Sequence, residues 1–103
     1  EAGINTYISE CDVHLYGEID QRKLEIQAKA YRSMLKACIE EPCCKAFKTW
    51  GYSDASCWMP MKKNNPGYDY EPYPLPFDHE FEPKPAYHAM KDLLIEIIEH
   101  NEM

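Results

Sequence analysis

Glu10 stands near the end of a strand-like run, Tyr7-Ile8-Ser9-Glu10-Cys11-Asp12-Val13-His14-Leu15. A carboxylate held at a strand end can attack a carbon centre or move a proton, provided a second group completes the reaction. Asp12 follows by two residues, so in a strand its side chain shares a face with Glu10 one level further on. A second block, Trp50-Gly51-Tyr52-Ser53-Asp54-Ala55-Ser56-Cys57-Trp58, carries a tryptophan at each end. Indole offers a flat apolar face and one N–H donor, which suits a ligand that presents C–H bonds on its face and hydroxyls at its rim. A third block reads Phe77-Asp78-His79-Glu80-Phe81-Glu82-Pro83-Lys84-Pro85-Ala86-Tyr87. The ordinary alternatives are a solvated carboxylate among eighteen acidic residues and tryptophans buried in a small core.

Charge and cysteine usage narrow the partners. The net charge is −7, and no cluster of Lys and Arg replaces the counterions of a nucleic acid, so a polyanionic partner is excluded. Five cysteines and four histidines could hold a metal. They lack C-x-x-C and H-x-x-x-H spacing, however, and no metal site is expected. So many cysteines in 103 residues indicate an oxidising compartment, and the odd count leaves at least one thiol outside any intrachain pair. No apolar run approaches the roughly 20 residues that span a bilayer, so no membrane association is expected. With no initiator Met and no charged-then-apolar leader, the chain reads as a mature or internally cleaved product.

The elements that must position these residues follow from the apolar spacing. Residues 4–15 read as a strand that delivers Glu10 near its end; their imperfect alternation is that of a strand buried on both faces of a parallel sheet. Asp20 can cap a helix over residues 21–39, on which Leu24, Ala28, Tyr31, Leu35 and Cys38 form one face. Pro42 ends that region. Lys45 to Trp50 is a second strand, and Gly51 frees the backbone to turn at its end. From Cys57 to Pro85 the chain turns Pro-, Tyr- and acid-rich, and of the eight prolines Pro42 alone lies outside this stretch. A loop of that length is usually functional or disordered. Pro85 suits the first position of a last helix, with Tyr87, Met90, Leu94 and Ile97 or Ile98 on one face and an end near Glu99. The order is β-α-β-α, an α/β class.

In this order, the three blocks resemble the C-terminal end of family 10 glycoside hydrolases, the retaining endo-β-1,4-xylanases. The resemblance covers nearly the whole chain but only the last third or so of the family's domain. It implies the seventh and eighth β/α units of a (β/α)8 TIM barrel, a fold of roughly 250 residues whose active sites gather at the C-terminal strand ends. It implies Glu10 as catalytic nucleophile and Trp50 and Trp58 as sugar platforms, since the spacing of eight with Gly51 and Asp54 between matches the family motif. Cys57 departs from it, standing where the family commonly has Ser. Asp12 is either a supporting residue that holds its neighbours by hydrogen bonds or half of a structural ion pair. His14 receives no catalytic role. The tyrosines of residues 68–73 either extend a sugar cleft or pack the loop. A cystine between Cys38 and Cys44 is implied by family members with a bridge at the same offset, with Cys43 a competitor. Cys11 and Cys57 are candidates for a second pair.

Retaining glycosidases use two carboxyl groups about 5–5.5 Å apart. The family's acid/base glutamate lies in an Asn-Glu motif on an earlier strand, whereas the Asn101-Glu102 pair here sits at the C-terminus in another context. Residues 1–103 are therefore expected to be the C-terminal part of one catalytic barrel whose remainder is absent, inactive alone and a secreted xylanase when assembled with the N-terminal part. The substrate would be xylan or xylo-oligosaccharides, with no cofactor required. The rival expectation is a non-catalytic carbohydrate-binding or structural remnant of such a barrel.

Overall fold

The computed structural model describes residues 4–15, 17–57, 59 and 71–101. The expected alternation is present: β1 spans Thr6–Cys11, α1 Gln21–Glu40, β2 Cys44–Thr49 and α2 Pro85–Asn101, with a 3-10 turn at Asp54–Ser56. Trp58 and the tyrosines Tyr68 and Tyr70 lie outside the described residues. Among the described residues no helix is long and apolar enough to cross a membrane.

Helix α1 starts where its cap predicts. The Asp20 carboxylate accepts from the backbone N–H of Lys23 at 2.8 Å, satisfying one donor that the first turn leaves without a partner. The buried face comprises Gln27, Ala28, Tyr31, Leu35 and Cys38. Leu24, expected on that face, is only half-buried, and Gln27 is fully enclosed instead. At the far end Cys38 is bonded to Cys44, their Cα atoms 5.2 Å apart, and the bridge closes the turn into β2. A ring that small contributes about 2 kcal/mol on the loop-closure account. Cys11 and Cys57 do not pair. The Cys11 thiol donates to the Met34 sulfur at 3.6 Å and that of Cys57 to the Met59 carbonyl at 3.8 Å. Burial, with Asp12 adding at Cys11, pushes both thiols up and so favours their protonated form.

The two strands run parallel, as a βαβ unit requires. Their register is irregular. From Ile8 to Cys11 β1 advances three residues while β2 advances two, Phe47 to Thr49, so an extra residue sits on β1 at Ser9-Glu10. That bulge brings Ile8 and Cys11 to the same helix-facing core with Tyr31, Met34, Phe47, Ala86 and Met90, and it explains the broken alternation. The opposite face is open, with Tyr7 61% exposed. The expectation of a strand buried on both faces therefore fails here, because among the described residues no further layer covers the second face.

Helix α2 differs from its expected face as well. Ala86 and Leu93 are buried and Met90 and Ile97 half-buried, while Leu94 and Ile98 are 45% and 56% exposed. The helix carries two apolar stripes about 100° apart, one residue's rotation. One packs toward α1, where Arg32 also bonds Glu96 at 2.7 Å. The other, with Tyr87 and Leu94, borders an open groove of about 680 Å³ that runs along β2 past Phe47 and Thr49.

The connection before α2 is tightly held where it is described. Phe77 exchanges backbone hydrogen bonds with Tyr52 and Asp54, and the Lys84 N–H donates to the Pro76 carbonyl. Beneath these bonds the Lys84 ammonium donates to Asp54 Oδ2 at 2.8 Å and to the Tyr73 carbonyl at 3.0 Å. The second Asp54 oxygen accepts from the N–H of Leu75 at 2.7 Å. The side chains of Lys84 and Asp54 are 3% and 0% exposed. Burial pushes the Asp54 carboxyl up and the Lys84 ammonium down, and their mutual hydrogen bond and attraction pull each back. Removing one partner from such a pair strands the other charge. Lys84→Met is therefore expected to lower the unfolding free energy of the intact protein by about 3–5 kcal/mol, and Asp54→Asn with Lys84→Met by much less than the sum of the single losses. Urea melts of the three variants check this, and additive losses would contradict it.

Candidate active site

Parallel pairing carries the ends of β1 and β2 to the same edge. Glu10 is the penultimate residue of β1 and is exposed; Trp50 is the first residue beyond β2 and is 43% exposed. The Trp50 N–H donates to the Cys11 carbonyl at 2.8 Å, so the backbone of the tryptophan is tied to the residue that follows the carboxylate. The bulge at Ser9-Glu10 lies at this same point, where an extra residue re-aims a side chain relative to a regular strand. The edge thus combines a solvent-accessible carboxylate with an indole that is not part of the core. Such a pair can attack a polarised carbon and stack against a flat apolar surface.

Beyond β1 the chain turns inward. Asp12 is largely covered, and its Oδ1 lies 3.4 Å from Nε2 of the half-buried His14. The structure therefore sets Asp12 against His14 just past the Glu10 edge. Of the residues read as candidates, Glu10, Asp12 and Trp50 converge on one end of the sheet, and Cys38 and Cys44 lie in the turn that leads into β2.

A positive φ of 99° at Gly51 turns the chain away from the Trp50 edge. A Cβ built there would lie 3.3 Å from Leu75 Cδ1. Past this turn the Ser53 hydroxyl accepts from the N–H of Ala55 at 3.1 Å and donates to the Asp78 carbonyl at 2.9 Å, which starts the 3-10 turn and seats Asp54 against Lys84. His79 Nε2 lies 2.7 Å from the Pro72 carbonyl and its ring packs edge-on to Tyr73. Among the described residues no group of three or more His, Cys, Asp or Glu could hold a metal ion.

Three residues that position this edge escaped the sequence reading. Gln27 bonds the carbonyls of Val13 and Tyr73, and Asp54 and Lys84 form the buried pair. The available signals were a polar side chain in line with Tyr31 on an apolar helix face, and a lysine enclosed between Pro83 and Pro85.

Comparison with known proteins gives a consistent result. The family model described as glycosyl hydrolase family 10 matches residues 1–93. Endo-1,4-beta-xylanase B of Neocallimastix patriciarum is 34% identical over 92 residues, which is 89% of this chain and 9% of that protein. The crystal structure of native xylanase 10B from Thermotoga maritima superposes with a TM-score of 0.78 at 31% identity, over 95% of this chain and 29% of that one. Xylanase 10B from Thermotoga petrophila RKU-1, crystallised with xylobiose, gives 0.71 at 33% identity over 89% of this chain and 27% of that one. The chain thus spans less than a third of the relatives it matches.

The Gly51 turn yields a direct test. Gly51→Ala is expected to cost about 1–3 kcal/mol, because a side chain is forced into a conformation that L-residues rarely adopt. Thermal melts of the intact protein measure it; an unchanged midpoint would mean that the turn relaxes to negative φ at no cost.

Proposed function

This chain belongs to glycosyl hydrolase family 10, and from that premise we propose that it is the C-terminal part of a retaining endo-β-1,4-xylanase barrel, contributing strands seven and eight and the nucleophile Glu10. The observation that carries the reading is the exposed carboxylate at the bulged end of a parallel strand, tied to Trp50 on the neighbouring strand end. The xylobiose bound in the T. petrophila relative supports xylan or xylo-oligosaccharide as the substrate.

In this reading a Glu10 oxygen attacks the anomeric carbon as the glycosidic bond breaks, forming a glycosyl ester. A second carboxylic acid protonates the leaving oxygen and then, as a base, activates the water that releases the sugar with net retention. In this reading that acid belongs to a segment outside this chain, since the one Asn-Glu pair of the sequence begins at Asn101, the last residue of α2. Trp50 stacks on the sugar bound beside Glu10, Trp58 extends the platform, and Asp12 supports the strand exit. No cofactor enters these steps. The enzyme would act outside the cell on plant cell-wall polysaccharide.

Physical incompleteness supports the fragment reading. Among the described residues the sheet has two strands, one face of β1 is open, and the second stripe of α2 borders an uncovered groove along β2. Parallel strands in α/β folds are covered on both faces and paired on both edges of a closed barrel. The first six β/α units would supply that cover, together with the acid.

Complementation tests both parts of the proposal. The 103-residue chain alone is expected to give no cooperative melt and no release of reducing sugar from xylan. Supplying the first six β/α units should restore both, and Glu10→Gln in the restored enzyme should abolish turnover while leaving oligosaccharide binding largely intact. Turnover of the Gln variant within about tenfold of wild type would overturn the role of Glu10, since a residual catalyst of that strength does not need the ester. A compact monomer that binds xylan and stays inactive after complementation would favour the non-catalytic remnant.

A further inference from the structure

The register shift at Ser9-Glu10 weakens the support of this stretch, because a residue outside the regular ladder is not fixed by strand pairing. Other bonds hold the strand exit. The Trp50 N–H holds the Cys11 carbonyl at 2.8 Å, and the Val13 N–H donates to the Pro74 carbonyl at 3.0 Å. From α1, Gln27 Nε2 donates to the Val13 carbonyl at 2.9 Å and to the Tyr73 carbonyl at 2.6 Å. One turn further along the helix, the buried Tyr31 hydroxyl donates to the Pro74 carbonyl at 2.5 Å.

Gln27 is a costly way to fill a core position. It is 0% exposed, and its Oε1 has no hydrogen-bond partner among the described residues. An unsatisfied buried acceptor destabilises a fold, whereas leucine or methionine would occupy the same space without that loss. What the amide adds is a pair of donors at fixed spacing, which join the exit of the nucleophile strand to the strap over residues 72–75. The strap is itself locked, by Leu75 N–H on Asp54 and by the Lys84 ammonium on the Tyr73 carbonyl.

We infer that Gln27 is a positioning residue for the reaction: its amide, assisted by the Tyr31 hydroxyl, clamps the Cys11–Val13 exit to the strap over residues 72–75 and so fixes where the Glu10 carboxylate points. The inference rests on the reading of Glu10 as nucleophile. It predicts that loosening the clamp slows attack at the anomeric carbon while leaving sugar binding almost unchanged, since the Gln27 amide bonds Val13 and Tyr73 and makes no bond to Trp50 or to β2.

The test uses the complete enzyme and an activated probe, a 2,4-dinitrophenyl 2-deoxy-2-fluoro-β-xylobioside. With this probe a Glu10 oxygen bonds to C1 while the C1–O bond breaks, and dinitrophenolate leaves with the electron pair. The fluorine slows hydrolysis of the ester, so the burst of phenolate counts active sites and the rate constant reports attack by the carboxylate. Gln27→Met is expected to lower that constant per active site on the order of 10- to 100-fold, the scale of an ångström-sized misplacement. The half-saturating probe concentration should stay within about threefold, since ground-state binding is retained. Tyr31→Phe, which keeps the ring and removes one bond, should lower the constant at least about threefold; it decides the matter if Gln27→Met does not fold.

A merely structural role would lower the melting temperature and the size of the burst but leave the constant per active site at the wild-type value, and that result would overturn the inference. Peptide mass spectrometry of the trapped enzyme separates this failure from the other. A label on Glu10 formed at an unchanged rate removes the positioning role alone, whereas a label on a different carboxylate removes the nucleophile assignment and the positioning role with it.

Discussion

Asp54 and Lys84 face each other at 2.8 Å with almost no solvent between them and the rest of the chain, and a charge in that setting is tolerable only with its partner in place. Their meeting has geometric consequences. Asp54 begins the 3-10 turn after the Trp50 edge, Lys84 immediately precedes α2, and their further bonds reach Leu75 and Tyr73. Three segments distant in sequence are thereby locked into one strap. The strap in turn receives Val13 from the end of β1 and the side chains of Gln27 and Tyr31 from α1. The charge pair thus lies beneath the strap to which the exit of β1 is bonded.

The described residues form a small α/β unit with apolar surface left over. A βαβα unit has one well-made interior, between sheet and helices, where Cys11, Tyr31 and Ala86 meet. Its remaining apolar surfaces are not covered by other described residues. Those surfaces are the open side of β1, the outer edge of β2 and the Tyr87–Leu94 stripe. Family membership and these surfaces agree, since the solved relatives are more than three times as long as the part they share with this chain.

Legibility from sequence followed the locality of the signal. Helix α1 could be read almost to the residue, because an Asp cap, a single apolar stripe and a following proline all act within a few residues. The existence of α2 was equally plain from Pro85, but its buried face was not. Two apolar stripes compete on that helix, and which one meets α1 depends on the docking of the whole element. The bounds of β1 were overdrawn, since the register shift breaks the alternation and the run beyond Cys11 leaves the sheet while Val13 and Leu15 continue an alternating pattern. The charge pair and the Gln27 clamp were invisible for a different reason: lysine, aspartate and glutamine are surface residues by default, and only long-range folding reveals that these three are enclosed.

The account turns on Glu10 as the nucleophile of a double displacement, which fixes a distance. The most direct measurement is a crystal structure of the complete enzyme, read for the separation between the Glu10 carboxyl group and the general-acid carboxyl group across the cleft. Retention through a glycosyl ester on Glu10 predicts about 5–5.5 Å, whereas a separation of about 6.5–9.5 Å would leave room for a water between the groups and contradict the assignment.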